Sequence, residues 1–310
     1  MKVFVTGGTG AIGGHAVPAL VEAGHSVTAL ARTPSKAVWL REQGAIPAEV
    51  SIFDRAALTK GFSDKDAIVN LTSAIPSMTK FIRKKPWTEN DRVRIEGSAA
   101  IVDAALAAGV GRLIQESVSM LYPDRGSEWI DEDVPPDVFR LSRANLAAEA
   151  NAKRFSDQGR TGAVLRFGWF YGPGARHSEQ LLEMARRHIT VVLGPSDGYV
   201  SSIHMTDAAA AVVAALKVSA GTYNVVDDEP LTKHDYAAAM AEAAGKAPWL
   251  RGPGRLALLL GGRLTSLTRS LRVSNARFRA AANWAPKYPD ARRGWIATAE
   301  AVYRAKEQPP

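Results

Sequence analysis

The sequence predicts an α/β architecture: a Rossmann-type, doubly wound parallel sheet in residues 1–170. A smaller substrate lobe takes up most of residues 171–310, and some of its segments return to the core. Three observations predict it. Short apolar runs alternate with helical stretches through the first half, at the spacing of βαβ units. A glycine-rich turn joins the first apolar run to the first helix. The chain of 310 residues is 46% hydrophobic and 23% charged, which excludes a disordered or low-complexity protein.

The elements follow in order. Lys2–Val5 reads as a strand, then a glycine turn and a helix over roughly 11–23. Ser26–Ala31 and Ala45–Val50 are strands flanking a helix at Ser35–Gln43, and Asp54–Gly61 is the next helix. Ala67–Leu71 is a strand, Asp91–Ala108 a long Ala-rich helix, and Arg112–Ser117 a strand. Ser142–Phe155 is a helix and Ala163–Phe167 a strand. Beyond residue 170 the rhythm loosens. A turn at Tyr171–Gly174 precedes helices at Ser178–Arg187 and Thr206–Val218, the second with Thr206 as its expected N-cap. Tyr223–Val226 is a strand and Thr232–Ala244 a helix; Pro248, Gly252, Pro253 and Gly254 then break the chain.

Cysteine is absent, so disulfides, thiolate zinc sites and cysteine nucleophiles are excluded. The longest aliphatic run, Leu256–Leu260, is far too short to span a bilayer, and the first ten residues lack the apolar core of a signal peptide. A soluble, cytoplasmic protein is expected. The net charge of +8 is carried by the last fifth of the chain, residues 251–310, where twelve Lys/Arg stand against only Asp290, Glu300 and Glu307. Such a segment could attract an anionic substrate, an acidic partner or a membrane surface, or could be a solvated face. It lacks the aromatic-basic interleaving of nucleic-acid binders.

In the turn Gly7-Gly8-Thr9-Gly10-Ala11-Ile12-Gly13, the glycines allow a tight bend and close approach of a pyrophosphate to the backbone. The helix that follows offers free N–H groups to the phosphates. An acid reading a ribose 2′-hydroxyl is expected at the end of the second strand, but Arg32 stands there, with Lys36 following. Both suit a 2′-phosphate. The cofactor expected is NADP(H), with NAD as the alternative.

The motifs, taken in order, resemble those of the extended or atypical short-chain dehydrogenase/reductase family, which contains the NAD-dependent epimerases and dehydratases. Thr6–Gly13 matches TGxxGxxG, and Asn70-Leu71-Thr72-Ser73 resembles the fourth-strand NLAA. Arg166–Gly174 is similar to RxxxxYGPG, Ile203–Asp207 to IHVxD, and the Asn275–Pro286 region to the closing GWxP. The resemblance implies that Asp54 contacts the adenine amino group and that Asn70 and Thr72 line the nicotinamide side. It also implies a homodimer through the helices at Asp91–Ala108 and Ser142–Phe155.

The family's chemistry rests on a Tyr, a Lys four residues later and a Ser/Thr. Here Asn145-Leu146-Ala147-Ala148-Glu149 aligns with the usual K-x-x-x-E, which puts Asn145 at the Lys position and Leu141 at the Tyr position. Val118 stands at the Ser/Thr position, and no Tyr occurs between Tyr122 and Tyr171. A relocated acid is therefore expected: Tyr122, at the end of the fifth strand, with Ser119 orienting a carbonyl and His204 as a further base. Each could instead be a packing or capping residue. Asp131-Glu132-Asp133 could supply a carboxylate, and Arg166 and Tyr171 could line the substrate cleft, with His177 a weaker candidate. No spacing has the pattern of a metal site. The function expected is an NADP(H)-binding oxidoreductase or epimerase-type enzyme acting on a small carbonyl or hydroxyl compound, which could be anionic. The alternatives are a redox-neutral cyclase, isomerase or lyase on the same fold, and a non-catalytic nucleotide-sensing scaffold.

Overall fold

A computed structural model describes residues 1–76, 83, 85–140, 142–248, 250–254 and 264–307. Along the chain it begins β1 (Lys2–Thr6), α1 (Gly13–Glu22), β2 (Ser26–Leu30), α2 (Pro34–Glu42), β3 (Ile46–Ala48), α3 (Arg55–Phe62) and β4 (Ala67–Asn70). Then come α4 (Thr88–Arg92), a π turn (Val93–Gly97), α5 (Ser98–Ala107), β5 (Arg112–Val118), β6 (Trp129–Ile130), α6 (Ser142–Asp157) and β7 (Thr161–Phe167). The second half holds β8 (Trp169–Tyr171), α7 (Arg176–Arg186), β9 (Ile189–Leu193), β10 (Tyr199–Val200), β11 (Ser202–His204), α8 (Met205–Ala215) and β12 (Gly221–Val225). It closes with β13 (Leu231–Thr232), α9 (Lys233–Ala243), β14 (Leu250–Gly254), α10 (Thr265–Thr268), β15 (Arg272–Val273), α11 (Ala276–Ala282) and α12 (Ala291–Glu307).

Seven strands form one sheet in the order β12-β7-β5-β4-β1-β2-β3, all neighbours parallel. Strands buried on both faces explain the near-continuous apolar runs read from the sequence. One face packs Val5, Val69 and Ile114 against α1 and α8, through Ala16, Leu20 and Val212. The other packs Phe4, Ile68 and Leu113 against α3, α5 and α6, through Leu58, Val102 and Phe155. A separate cluster, built on Tyr171, Tyr236 and Trp295, joins α7, α9 and α12. Pro47 sits in β3, an edge strand, where a missing N–H is tolerated.

Two predicted features differ. The expected single helix Asp91–Ala108 is interrupted by the π turn, because the Ser98 hydroxyl donates to the Arg94 carbonyl at 2.5 Å inside the helical ladder. The N-cap of α8 is His204, not Thr206: its Nδ1 accepts the Thr206 N–H at 3.3 Å. The aliphatic run Leu256–Leu260 and the position Leu141 lie outside the described residues. No helix among the described residues is long and apolar enough to cross a membrane.

Candidate active site

The glycine turn is built by close contact. Gly7 has φ +75°, and a Cβ there would lie 2.6 Å from the Leu71 carbonyl carbon. A Cβ on Gly13 would lie 2.1 Å from the Gly7 oxygen. Glycine at these two positions lets α1 start against the loop, and Gly10 closes the bend by donating to the Gly7 carbonyl at 2.9 Å. Ile12 caps α1 without a side-chain bond, and the Gly14 and His15 N–H groups donate to the Gly10 and Ile12 carbonyls, which leaves the Gly13 N–H at the helix start for an anion. Ala11 is exposed beside them, and Thr9 half-buried.

Thr9, Gly14, Ser35, Lys36 and Trp39 line a cleft of about 290 Å³ between this turn and α2. Thr33 caps α2, its hydroxyl accepting the Lys36 N–H. Arg32 is exposed, and no ion pair holds it among the described residues. Asp54 caps α3: its Oδ1 accepts the Ala57 N–H at 3.0 Å, which commits one carboxylate oxygen. Asn70 is buried, accepts from the Thr6 hydroxyl at 2.6 Å and donates to Gln115 at 2.9 Å, so it ties the ends of β1 and β4 to the middle of β5. Its Oδ1 also accepts the Thr72 N–H. The Thr72 hydroxyl oxygen, next to the glycine turn, is buried without a partner. The close glycine cradle, the uncapped helix start and this orphaned hydroxyl fit a dinucleotide.

The helix α6 carries Asn145, which stands at the position of the family's Lys. Asn145 is buried on it, and Glu149, one turn on, accepts from the Ser117 hydroxyl at 2.6 Å. Glu149 also forms a two-pronged pair with Arg166, at 2.9 and 2.7 Å. Arg166 donates in turn to the Tyr122 phenol oxygen at 2.9 Å, and that phenol donates to Asn224 Oδ1 at 2.8 Å. Tyr122 has no exposed surface, and burial raises its pKa. The phenol proton is therefore committed inside the protein. Arg166 is likewise interior, its charge held by Glu149. Ser119 is buried at the end of β5, where its carbonyl accepts the Tyr122 N–H.

A match to a model of the NAD dependent epimerase/dehydratase family spans residues 3–226. The chain belongs to that family. Within it, the chain is 33% identical over 310 residues to a 3-diazoavenalumate denitrifying reductase of a Streptomyces species, a match covering 95% of this chain and 99% of that one. It is 26% identical over 275 residues to the human epimerase family protein SDR39U1, covering 85% and 87%. Among solved structures it is similar to the Thermus thermophilus UDP-glucose 4-epimerase complex with NAD, at 23% identity, TM-score 0.80, and 98% and 100% coverage. As a member of this NAD-dependent epimerase/dehydratase family, the chain is an enzyme of the extended short-chain dehydrogenase/reductase group.

Other residues singled out by sequence lie deeper than a cleft in this family member. Tyr171 has no exposed surface; its phenol faces Asp227 Oδ2 at 3.4 Å, and its ring packs on Trp295. His204 is buried between Tyr171 and Tyr288, and burial, aided by His15 and Lys287, lowers its pKa to about 4. His177 binds the Phe170 carbonyl at 2.6 Å. Glu132 accepts the Asn224 N–H at 2.7 Å on the open edge of β12 and is clamped by Arg277. Sequence reasoning missed Glu149, Asn224 and Gln115 as network members, because their partners are distant in sequence.

The basic C-terminal segment is largely matched internally. Arg277 pairs with Glu132 and Asp133, Arg279 with Asp228, Arg269 with Asp137, and Arg292 with Glu229. No cluster of metal ligands occurs among the described residues.

Proposed function

We propose that this enzyme is an NADP(H)-dependent reductase whose substrate takes up hydride without needing a proton from a side chain. The observation that carries the reading is a pairing of opposites. The nucleotide cradle at Gly7, Gly13 and Thr72 is intact, while Asn145 fills the position of the ammonium and the Tyr122 phenol is sealed against Arg166 and Asn224.

Bound NADPH supplies hydride. Addition of hydride to a carbonyl leaves an alkoxide that must gain a proton, which is why such reductases keep a positioned acid. A diazo group in its diazonium form is different. Hydride adds to the terminal nitrogen, the N≡N bond becomes N=N, and the product is a neutral diazene, R–N=N–H. The diazene loses N₂ and its hydrogen remains on the carbon, giving R–H. Charge and hydrogen both balance without an acid. The similarity to a 3-diazoavenalumate denitrifying reductase supports this substrate class: a small diazo compound carrying a carboxylate.

The chain's own residues then have a limited task. The α1 start and the glycine turn hold the pyrophosphate, and Lys36 with Ser35 takes the 2′-phosphate in the cleft beside Trp39. Arg32 adds charge from the surface. Thr72 and Asn70 stand at the nicotinamide end, and Asn145 supplies a polar but uncharged wall.

The test is nicotinamide oxidation with an arenediazonium carboxylate, aromatic aldehydes and a UDP-sugar, in NADPH and in NADH. Turnover of the diazonium compound with N₂ release, and none of the aldehydes, is expected. Carbonyl turnover at equal or greater rate would overturn the acid-free reading.

A further inference from the structure

The third residue of α1, His15, projects from the first turn of the helix and reaches the second half of the chain. Its Nε2 lies 3.1 Å from the carbonyl oxygen of Pro173, 158 residues away. A carbonyl only accepts, so His15 donates from Nε2. Among the described residues this is the one side-chain hydrogen bond joining α1 to the turn between β8 and α7.

That turn is shaped to receive it. Gly172 and Gly174 have φ of +145° and +77°, and a Cβ on Gly174 would stand 3.6 Å from His15 Nε2. The Gly172 N–H donates to Ser178 Oγ at 3.2 Å, in the first turn of α7, so the turn and the helix move as one piece. His204 also packs against the turn, its Nε2 3.3 Å from where a Cβ on Gly172 would stand. His204 in turn caps α8, which packs along α1. The turn thus contacts both the nucleotide-binding helix and the cap of the helix beside it, while α7 joins α9 and α12.

We infer that His15 is a positioning residue that couples nucleotide binding at the start of α1 to the order of the 172–174 turn and the α7 start. The inference rests on the nucleotide reading given above. An anion at the Gly13 N–H, two residues before His15, fixes the start of α1, and the His15 ring with it. The bond to Pro173 then carries that order across to the substrate lobe, a coupling of two sites through one hydrogen bond.

The test is hydrogen exchange on the full chain, reading peptides that cover residues 169–180, with NADPH and NADH as probes. In the wild type, nucleotide should slow exchange in this segment by about fivefold or more. His15→Leu should bind nucleotide with a Kd within about threefold of wild type, yet lose the protection. His15→Gln, which keeps an N–H donor, should restore it. Calorimetry on the same samples separates the two ideas. No heat with either nucleotide removes the nucleotide reading and this coupling together. Heat without wild-type protection of 169–180, or full protection in His15→Leu, overturns the coupling alone. A second readout needs no substitution: the His15 ring nitrogens, followed by ¹⁵N NMR in wild type, should shift on nucleotide addition and stay Nε2-protonated. An unchanged spectrum in a protein that binds nucleotide counts against the coupling.

Discussion

Glu149 and Arg166 meet through two parallel bonds inside the protein, Nε to Oε1 at 2.9 Å and Nη2 to Oε2 at 2.7 Å. Both side chains are almost fully withdrawn from water, and both reach further partners, Ser117 and Tyr122. A buried pair of this geometry ties α6 to β5 and β7 at the carboxyl end of the sheet. Removing one partner strands the other charge. Glu149→Ala should therefore lower unfolding free energy by about 3 kcal/mol or more. Glu149→Gln should cost less, since the amide oxygen still accepts from Arg166. Urea unfolding of the two variants checks the order, and equal stabilities would sink the argument.

Discrimination between the two nicotinamide nucleotides should reside in α2 and the loop before it. Lys36→Glu should weaken NADPH binding by about tenfold or more and leave NADH nearly unchanged. Arg32→Glu should act in the same direction but more weakly, because Arg32 is exposed and salt screens it. Calorimetric titration at two ionic strengths reads both effects. If both nucleotides weaken equally, Lys36 is contacting a shared part of the cofactor.

The cap made by Asp54 and the adenine contact expected of it can be separated by substitution. As the cap of α3 it accepts the Ala57 N–H at 3.0 Å. Asp54→Ala should cost about 1 kcal/mol of stability, and Asp54→Asn far less, since asparagine caps equally well. If the remaining oxygen accepts from the adenine amino group, Asp54→Asn should still weaken nucleotide binding at unchanged stability. Thermal melts and calorimetry on the same pair of variants distinguish cap from contact.

His204 predicts a pH dependence with a definite sign. Burial, with His15 and Lys287 nearby, lowers its pKa from 6.5 to about 4 in the folded protein. Between those values the unfolded chain takes up a proton that the folded chain refuses. Stability is therefore complete above pH 6.5 and falls as pH drops toward 4, by about 3 kcal/mol at most from this one group. His204→Asn keeps a side-chain acceptor for the Thr206 N–H and removes the titration. The slope of unfolding free energy between pH 4 and 6.5 should flatten in the variant. An unchanged slope would assign the acid sensitivity to another group.

Local patterns made much of the frame legible. The alternation of apolar runs located the core strands β1, β2, β4, β5 and β7, and the glycine turn located the start of α1. Those features depend on neighbours within a few residues. The two-residue strands β6, β10 and β13 are too short to leave a period in the sequence. The site was less legible for a related reason. Tyr122 reads as a phenol near the end of a strand, but its partners are Asn224, 102 residues on, and Arg166, 44 residues on. Nothing local records that its proton is already given away. The fate of the C-terminal arginines was hidden in the same manner, because their acids come from loops as far back as Glu132.

The place of β12 in the sheet bears on how the chain can be made. Gly221–Val225 covers the outer side of β7, and its own open edge is closed by Glu132 through the Asn224 N–H. During synthesis β7 leaves the ribosome well before its neighbour exists. Until residue 225 has emerged, β7 presents a row of unpaired N–H and C=O groups, and Glu132 has no strand to accept from. A piece ending at residue 170 would keep that sticky border for its whole lifetime, whereas the full chain covers it as translation nears completion.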